Sequence, residues 1–211
     1  MSKKTNELEN VYGAESAEQI RNVYDNWAEK YDEENLRKGY RLATLGTGYV
    51  ARHEPKGTGP ILDAGCGTGL VGEALNILGY SDITGIDISP EMLAVAEGRG
   101  VYSKIAVQDL GKPLPNPNGS FAAFLCFASF GPGHAPVDCL DELVRVVRTG
   151  GHAIFNLRED TYVEQGFEAK MTELTVKNVW REVDRSSSFR PYLLAEPDLY
   201  ARFFVYQITE E

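Results

Sequence analysis

The residues best equipped for chemistry stand close together. Ile61-Leu62-Asp63-Ala64-Gly65-Cys66-Gly67-Thr68-Gly69-Leu70 places an acid at the end of a short apolar run, followed by glycines at alternate positions. An apolar run of this length reads as a buried strand. It delivers the chain to a tight turn, and a helix begins at once. Glycines accept positive φ and let a ligand approach the main chain. The first turn of the helix offers free N–H groups. Open α/β sheets bind ligands at the carboxyl edge of their strands, where Asp63 would stand.

The glycine spacing bears on which ligand. A dinucleotide fingerprint G-x-G-x-x-G requires a third glycine at position 70. Residue 70 is Leu, and the third glycine comes one place early, as Gly69. An acid at the strand end also suits a cation better than a pyrophosphate. S-adenosylmethionine carries an ammonium and a sulfonium and no phosphate, so these residues tilt toward the methyl donor. Asp87, in Thr84-Gly85-Ile86-Asp87-Ile88-Ser89, lies 18 residues after Gly69. A carboxylate there can accept both ribose hydroxyls of an adenosine. Nicotinamide enzymes share that ribose contact, so an NAD(P)-dependent oxidoreductase stays as an alternative, with Leu70 against it. A non-catalytic module that binds S-adenosylmethionine or S-adenosylhomocysteine is a second alternative. In Val107-Gln108-Asp109-Leu110, Asp109 is placed to accept from an adenine amino group, with Leu110 against the ring. A strand–helix turn with no ligand would leave Asp63 and Asp87 unexplained.

Other reactive side chains have plainer readings beside the functional ones. Tyr24, Trp27 and Tyr31 recur at helical spacing, as the core face of an amphipathic helix does. As a lid, their rings would meet a sulfonium and exclude water, with Trp27 in the core and Tyr31 at the ligand. His134, in Phe130-Gly131-Pro132-Gly133-His134, is the one candidate general base. His53 falls at a helix end, where the dipole explains it, and His152 opens a strand. Cys126, on an apolar strand, reads as a buried residue rather than a nucleophile. Sulfonium chemistry can proceed by alignment alone, so no catalytic residue is required.

The elements that must position these groups follow from periodicity. Helical spacing runs over residues 16–33 and again over 38–53, and residues 55–60 (PKGTGP) break the chain. The first ten residues are polar and read as a loose end. Strand patterns then cover residues 61–63, 82–86, 103–107, 121–130 and 152–157, with helical stripes over 70–78, 89–100, 137–148 and 161–177 between or after them. Ser89-Pro90-Glu91 reads as a helix start, with Ser as cap, Pro at the first position and an acid in the first turn. Strands alternating with helices imply right-handed crossovers and a parallel sheet covered on both faces. Residues 180–193 and 202–209 are two last strand patterns with no clear helix between them. They suggest an antiparallel hairpin at the C-terminal end. The expected division is a helical cap or lid over residues 1–55 and one compact core over 56–211.

Bulk properties narrow the partners. The 211 residues carry a formal net charge of −10, and lysines and arginines form no run longer than the pairs Lys3-Lys4 and Arg37-Lys38. A phosphate backbone would be repelled by that field, so nucleic acid is not the expected substrate. No apolar run is long enough for a membrane helix, and MSKKTNELEN has no apolar stretch that would make it a secretory signal. The three cysteines, Cys66, Cys126 and Cys139, form no C-x-x-C pair and no disulfide framework. A structural zinc site is therefore not expected, and a reducing cytoplasm is the natural setting. The expected acceptor is a small molecule and the expected state a monomer or weak dimer.

Taken in order and spacing, these three elements resemble the class I S-adenosylmethionine-dependent methyltransferases. Asp63, Gly65, Gly67 and Gly69 match that family's first motif, Asp87 its ribose acid and Asp109 its adenine position. The resemblance implies a Rossmann-like, mostly parallel seven-stranded sheet whose last strand is antiparallel. It implies S-adenosylmethionine as cofactor, with Tyr31, Asp63, Gly65, Cys66, Gly67, Gly69, Asp87, Ile88, Met92, Asp109, Leu110 and Cys126 around it. A closer likeness is to the Williams–Beuren-region methyltransferase-like proteins. It rests on Tyr24-Asp25-x-Trp27-Ala28-x-x-Tyr31-Asp32, on residues 61–71 and 110–121, and on Glu159-Asp160-Thr161. It spans about residues 20 to 180.

Overall fold

A computed structural model describes residues 7–209 apart from Pro132. Helix α1 (Glu7–Tyr12), α2 (Ala17–Arg37) and α3 (Leu42–His53) precede the first strand. Then come β1 (Ile61–Ala64), α4 (Leu70–Ile77), β2 (Ile83–Asp87), α5 (Pro90–Arg99), β3 (Lys104–Val107) and β4 (Phe121–Cys126). The chain closes with α6 (Cys139–Arg145), β5 (Val147–Arg158), α7 (Glu159–Glu164), α8 (Phe167–Val176), β6 (Trp180–Arg185) and β7 (Ala201–Ile208).

The strands form one seven-stranded sheet in the order β3-β2-β1-β4-β5-β7-β6. β1, β2, β3, β4 and β5 pair parallel. β7 runs antiparallel to both β5 and β6. The C-terminal hairpin is thus inserted, with β7 between β5 and β6, and only that strand opposes the rest. The order turns back at β1 and β4, which puts a crevice beyond their carboxyl ends.

Strand alternation sorts the core onto two faces. Leu62 and Ala64 of β1 pack with Phe124, Phe155 and the apolar sides of α6 and α8. Ile61 packs on the other face with Val71 and Leu75 of α4 and with Leu42 and Val50 of α3. A third cluster, with Leu8, Val11, Ile20, Trp27 and Tyr192, fastens α1 and α2 to the 192 region.

Several boundaries differ from the sequence reading, each for a local reason. Residues 1–6 of the expected loose end lie outside the described residues, while Leu8 and Val11 are buried and hold a helical turn. The strand expected over 121–130 stops at Cys126, because Ala128 turns to φ 59. The helix expected over 137–148 ends at Arg145, and Val147 already pairs with Phe121. Gly166, at φ 78, splits the helix expected over 161–177 into α7 and α8. The strand expected over 180–193 ends at Arg185. Beyond it, Tyr192 forms an isolated antiparallel bridge with Tyr40.

Candidate active site

The glycine-rich turn hangs on the end of β2. The Gly65 and Cys66 amides donate to the Ile86 carbonyl at 2.8 and 3.0 Å. The Gly67 amide donates to Asp87 Oδ2 at 2.9 Å, and the Ser89 amide to its Oδ1 at 2.9 Å. Asp87 therefore ties the first motif to the second. Burial pushes its carboxyl above the usual range, while these amides pull it back. Glycine is required at 65 on two counts. Its φ is +76, and a Cβ would stand 2.1 Å from Ser129 Oγ. At Gly67 (φ +53) a Cβ would meet nothing within 4 Å, so that turn presents bare main chain to open space.

Helix α2 lies across this turn, held at two points. Ser16 caps it by accepting from the Gln19 amide. Ser89 Oγ accepts from the Met92 amide at 3.1 Å and donates to Asp25 Oδ1 at 2.5 Å. The expected cap of α5 is present, and α2 completes it. Two turns further on, Asp32 accepts from Thr68 Oγ1 at 2.5 Å and pairs with Arg99. Arg99 also donates to the Thr68 carbonyl at 2.6 Å and pairs with Glu73 at 2.9 Å.

A cleft enclosing about 880 Å³, part of it open to solvent, lies over these elements. Tyr31, Gly65, Cys66, Gly67, Asp87, Ile88, Met92, Asp109, Leu110 and His134 all line it. Asp63, Gly69 and Cys126 do not line it. Asp63 is 1% exposed and accepts from the Tyr102 hydroxyl at 2.7 Å. Burial pushes its carboxyl up to about 7, the Tyr102 bond opposes that, and nearby Asp87 adds to it. Gly69 caps α4 at φ 90. Cys126 lies in the core, where burial raises its thiol well above the ordinary value. Asp109 accepts from the Gly111 amide at 2.8 Å and sits 3.6 Å from Lys112 Nζ.

The rim over the turn is aromatic. Trp27 is 2% exposed and donates to Glu34 at 2.9 Å, so it is a core residue. Tyr24 and Tyr31, packed against it edge-on or stacked, face the cleft together with Tyr40. Burial raises all three phenols well above their usual value, so they are neutral donors. The Tyr24 hydroxyl meets His134 Nε2 at 2.8 Å. The other two histidines line no part of the cleft. His53 bonds Asp184 at 2.7 Å and His152 bonds Glu54 at 2.8 Å.

Five residues contribute that the sequence alone does not single out. Tyr102 satisfies Asp63 from 39 residues away, which no local pattern announces. Tyr40 and Ser129 reach the cleft from loops. Asp25 and Asp32 fall inside the Tyr24–Asp32 motif, but only the fold shows that they clasp Ser89, Thr68 and Arg99.

Comparison with known proteins agrees with this geometry. The family model described as a methyltransferase domain matches residues 62–155. The chain is 31% identical over 179 residues to Methyltransferase-like protein 27 of Homo sapiens, spanning 81% of this chain and 71% of that protein. It is 32% identical over 154 residues to an uncharacterized protein of Methanocaldococcus jannaschii, spanning 71% and 68% respectively. In structure it resembles an S-adenosylmethionine-dependent methyltransferase from Thermotoga maritima, with TM-score 0.64 at 18% identity, covering 90% of this chain and 99% of that one.

Proposed function

The chain belongs to the S-adenosylmethionine-dependent methyltransferases, and from that premise we propose that it methylates a small molecule bound beside the cleft, with His134 as proton acceptor. One observation carries the cofactor reading. Among the described residues, the side chains lining the cleft include two carboxylates, Asp87 and Asp109, and no lysine or arginine. A diphosphate would find no cation there, whereas a sulfonium and an ammonium meet a field of the right sign.

The residues fit the group. Asp87, still facing the cleft, can accept from the ribose hydroxyls. Ile88, Met92 and Leu110 supply apolar surface for an adenine ring, with Asp109 at its edge. Gly65, Cys66 and Gly67 leave room for the methionine portion to approach main chain. Tyr31 closes the other side with a neutral aromatic ring, which favours a cation by its quadrupole. When bound, S-adenosylmethionine supplies a methyl group activated by a positive sulfur. The protein's share is then to align the acceptor and take its proton. His134 would receive that proton by way of Tyr24, whose hydroxyl meets its Nε2 at 2.8 Å. The acceptor is read as a small molecule because no basic surface run offers a phosphate backbone its counterion.

Thermal unfolding with each ligand tests this reading. S-adenosylhomocysteine at a hundred times its dissociation constant should stabilise the chain by about 2.7 kcal/mol, and NADH should leave it unchanged. Stabilisation by NADH alone would reverse the assignment.

A further inference from the structure

A second cavity, of about 960 Å³, backs onto the cleft. The two share Tyr24, Tyr31, Ala128 and His134 as a common wall. The second chamber runs away from the glycine turn, between the inner side of α1 and α2 and the carboxyl ends of β4 and β5.

Its lining is aromatic and short of free charge. Trp27, Phe130 and Tyr192 add rings to those of Tyr24 and Tyr31. Among the described residues that line it, no carboxylate is present, and Arg158 is the one arginine or lysine. That guanidinium is committed. It donates twice to Asp160, at 3.0 and 2.5 Å, and lies over the Tyr12 ring at 4.9 Å. An ammonium acceptor would therefore find no counter-charge, and a carboxylate acceptor only an arginine already neutralised.

One polar group in the chamber has work left to do. Asn156 is 3% exposed and sits near the end of β5. Its Oδ1 accepts from the Ala128 amide at 2.8 Å, which fixes the orientation of the side-chain amide. The Nδ2 end, with two N–H groups, has no protein partner among the described residues, and the residue borders the chamber. That donor opens onto the chamber, where a ligand oxygen can take the place of water as its acceptor.

We propose that this chamber binds the methyl acceptor, and that the acceptor is an uncharged aromatic hydroxy compound whose oxygen substituent accepts from Asn156. The rings receive a planar molecule, and the absence of unpaired charge selects a neutral one. A proton acceptor in the shared wall suits a hydroxyl, which must lose a proton when it is alkylated. The proposal rests on the methyl-transfer reading, and its test separates the two.

Three phenols of similar size serve as probes: methyl 4-hydroxybenzoate (neutral), 4-hydroxyphenylacetate (anionic) and tyramine (cationic). Each is titrated into the full chain by saturation-transfer NMR, with and without S-adenosylhomocysteine. The neutral ester should bind most tightly. Asn156→Asp keeps the acceptor for the Ala128 amide and removes the donor. It should weaken the ester by about tenfold, the equivalent of one hydrogen bond, and shift preference toward tyramine. Leu199→Trp, which narrows the chamber, should abolish ester binding and leave S-adenosylhomocysteine affinity as it was. Tighter binding of either charged phenol by the unaltered chain overturns the proposal. So does ester binding indifferent to both substitutions, or none at millimolar concentration. Calorimetry with S-adenosylhomocysteine is the separate measure of the cofactor reading.

Discussion

The Tyr102 hydroxyl donates to Asp63 across 2.7 Å, inside the protein rather than toward the cleft. The acid comes from β1 and the tyrosine from the link between α5 and β3. The same hydroxyl accepts from the Gly72 amide at 3.2 Å, so one phenol braces the strand before the glycine turn and the helix after it. Asp63 thus supports the turn from behind, while Asp87 faces the cleft.

That burial has a pH signature. The Asp63 carboxyl is pushed up to about 7 in the folded chain, against about 3.9 unfolded. Between those values the folded state holds the proton more tightly. Its contribution is full below the unfolded value and is lost as pH rises through about 7. At about 1.36 kcal/mol per unit, the loss is on the order of 4 kcal/mol. Asp63→Asn should flatten urea-unfolding free energy between those pH values relative to the unaltered chain. Parallel pH curves for the two proteins would show that Asp63 titrates normally.

Asp87 makes two kinds of contact, so its removal should have two effects. Asp87→Ala loses the charged acceptor proposed for the ribose, weakening S-adenosylhomocysteine by roughly 1.5–3 kcal/mol. It also frees the Gly67 and Ser89 amides, so exchange of those two amides should quicken. Titration calorimetry and hydrogen exchange read the two separately. Unchanged affinity with faster exchange would leave Asp87 as a clasp only.

Gly65→Ala meets both strain and collision. A left-handed non-glycine residue costs about 1–3 kcal/mol, and the new Cβ would stand 2.1 Å from Ser129 Oγ and 2.5 Å from its Cβ. Ser129→Gly should restore part of the lost stability in the double variant and leave the strain. Full additivity of the two substitutions would mean that the turn moves away instead.

The fold was largely legible because its signals are local. A short apolar run, a glycine turn and a capped helix follow one another in residues 61–70 and again, less completely, in 83–92. Asp87 and the Ser89 cap stand where the spacing put them. Long-range contacts are what the sequence does not announce. Asp63 meets Tyr102 rather than the cleft, and that partner lies 39 residues away. Cys126 belongs to the core because β4 is buried on both faces, and an apolar strand cannot announce which of its ends meets a cleft. Leu8 falls within the ten residues that read as a polar end, because one apolar residue shows no period. In the fold Leu8 and Val11 lie on one side of α1 and pack in a cluster with Ile20, Trp27 and Tyr192.

The expected lid over residues 16–33 corresponds to a helix fastened by Asp25 to Ser89 and by Asp32 to Thr68 and Arg99. Tyr24 and Tyr31 on its inner side line the cleft, so a ligand enclosed there requires the helix to lift or the rim to part. The clasps are few and lie at the rim, which suits local opening without global unfolding. A ligand that binds only the closed state suppresses that opening. At a hundred times its dissociation constant, S-adenosylhomocysteine should slow exchange of α2 amides by up to about a hundredfold. Asp25→Ala with Asp32→Ala should speed their exchange in the free chain and spare the amides of β4 and β5. Equal protection with and without ligand would make α2 a permanent wall of the core, and Tyr31 would then shape the cleft without gating it.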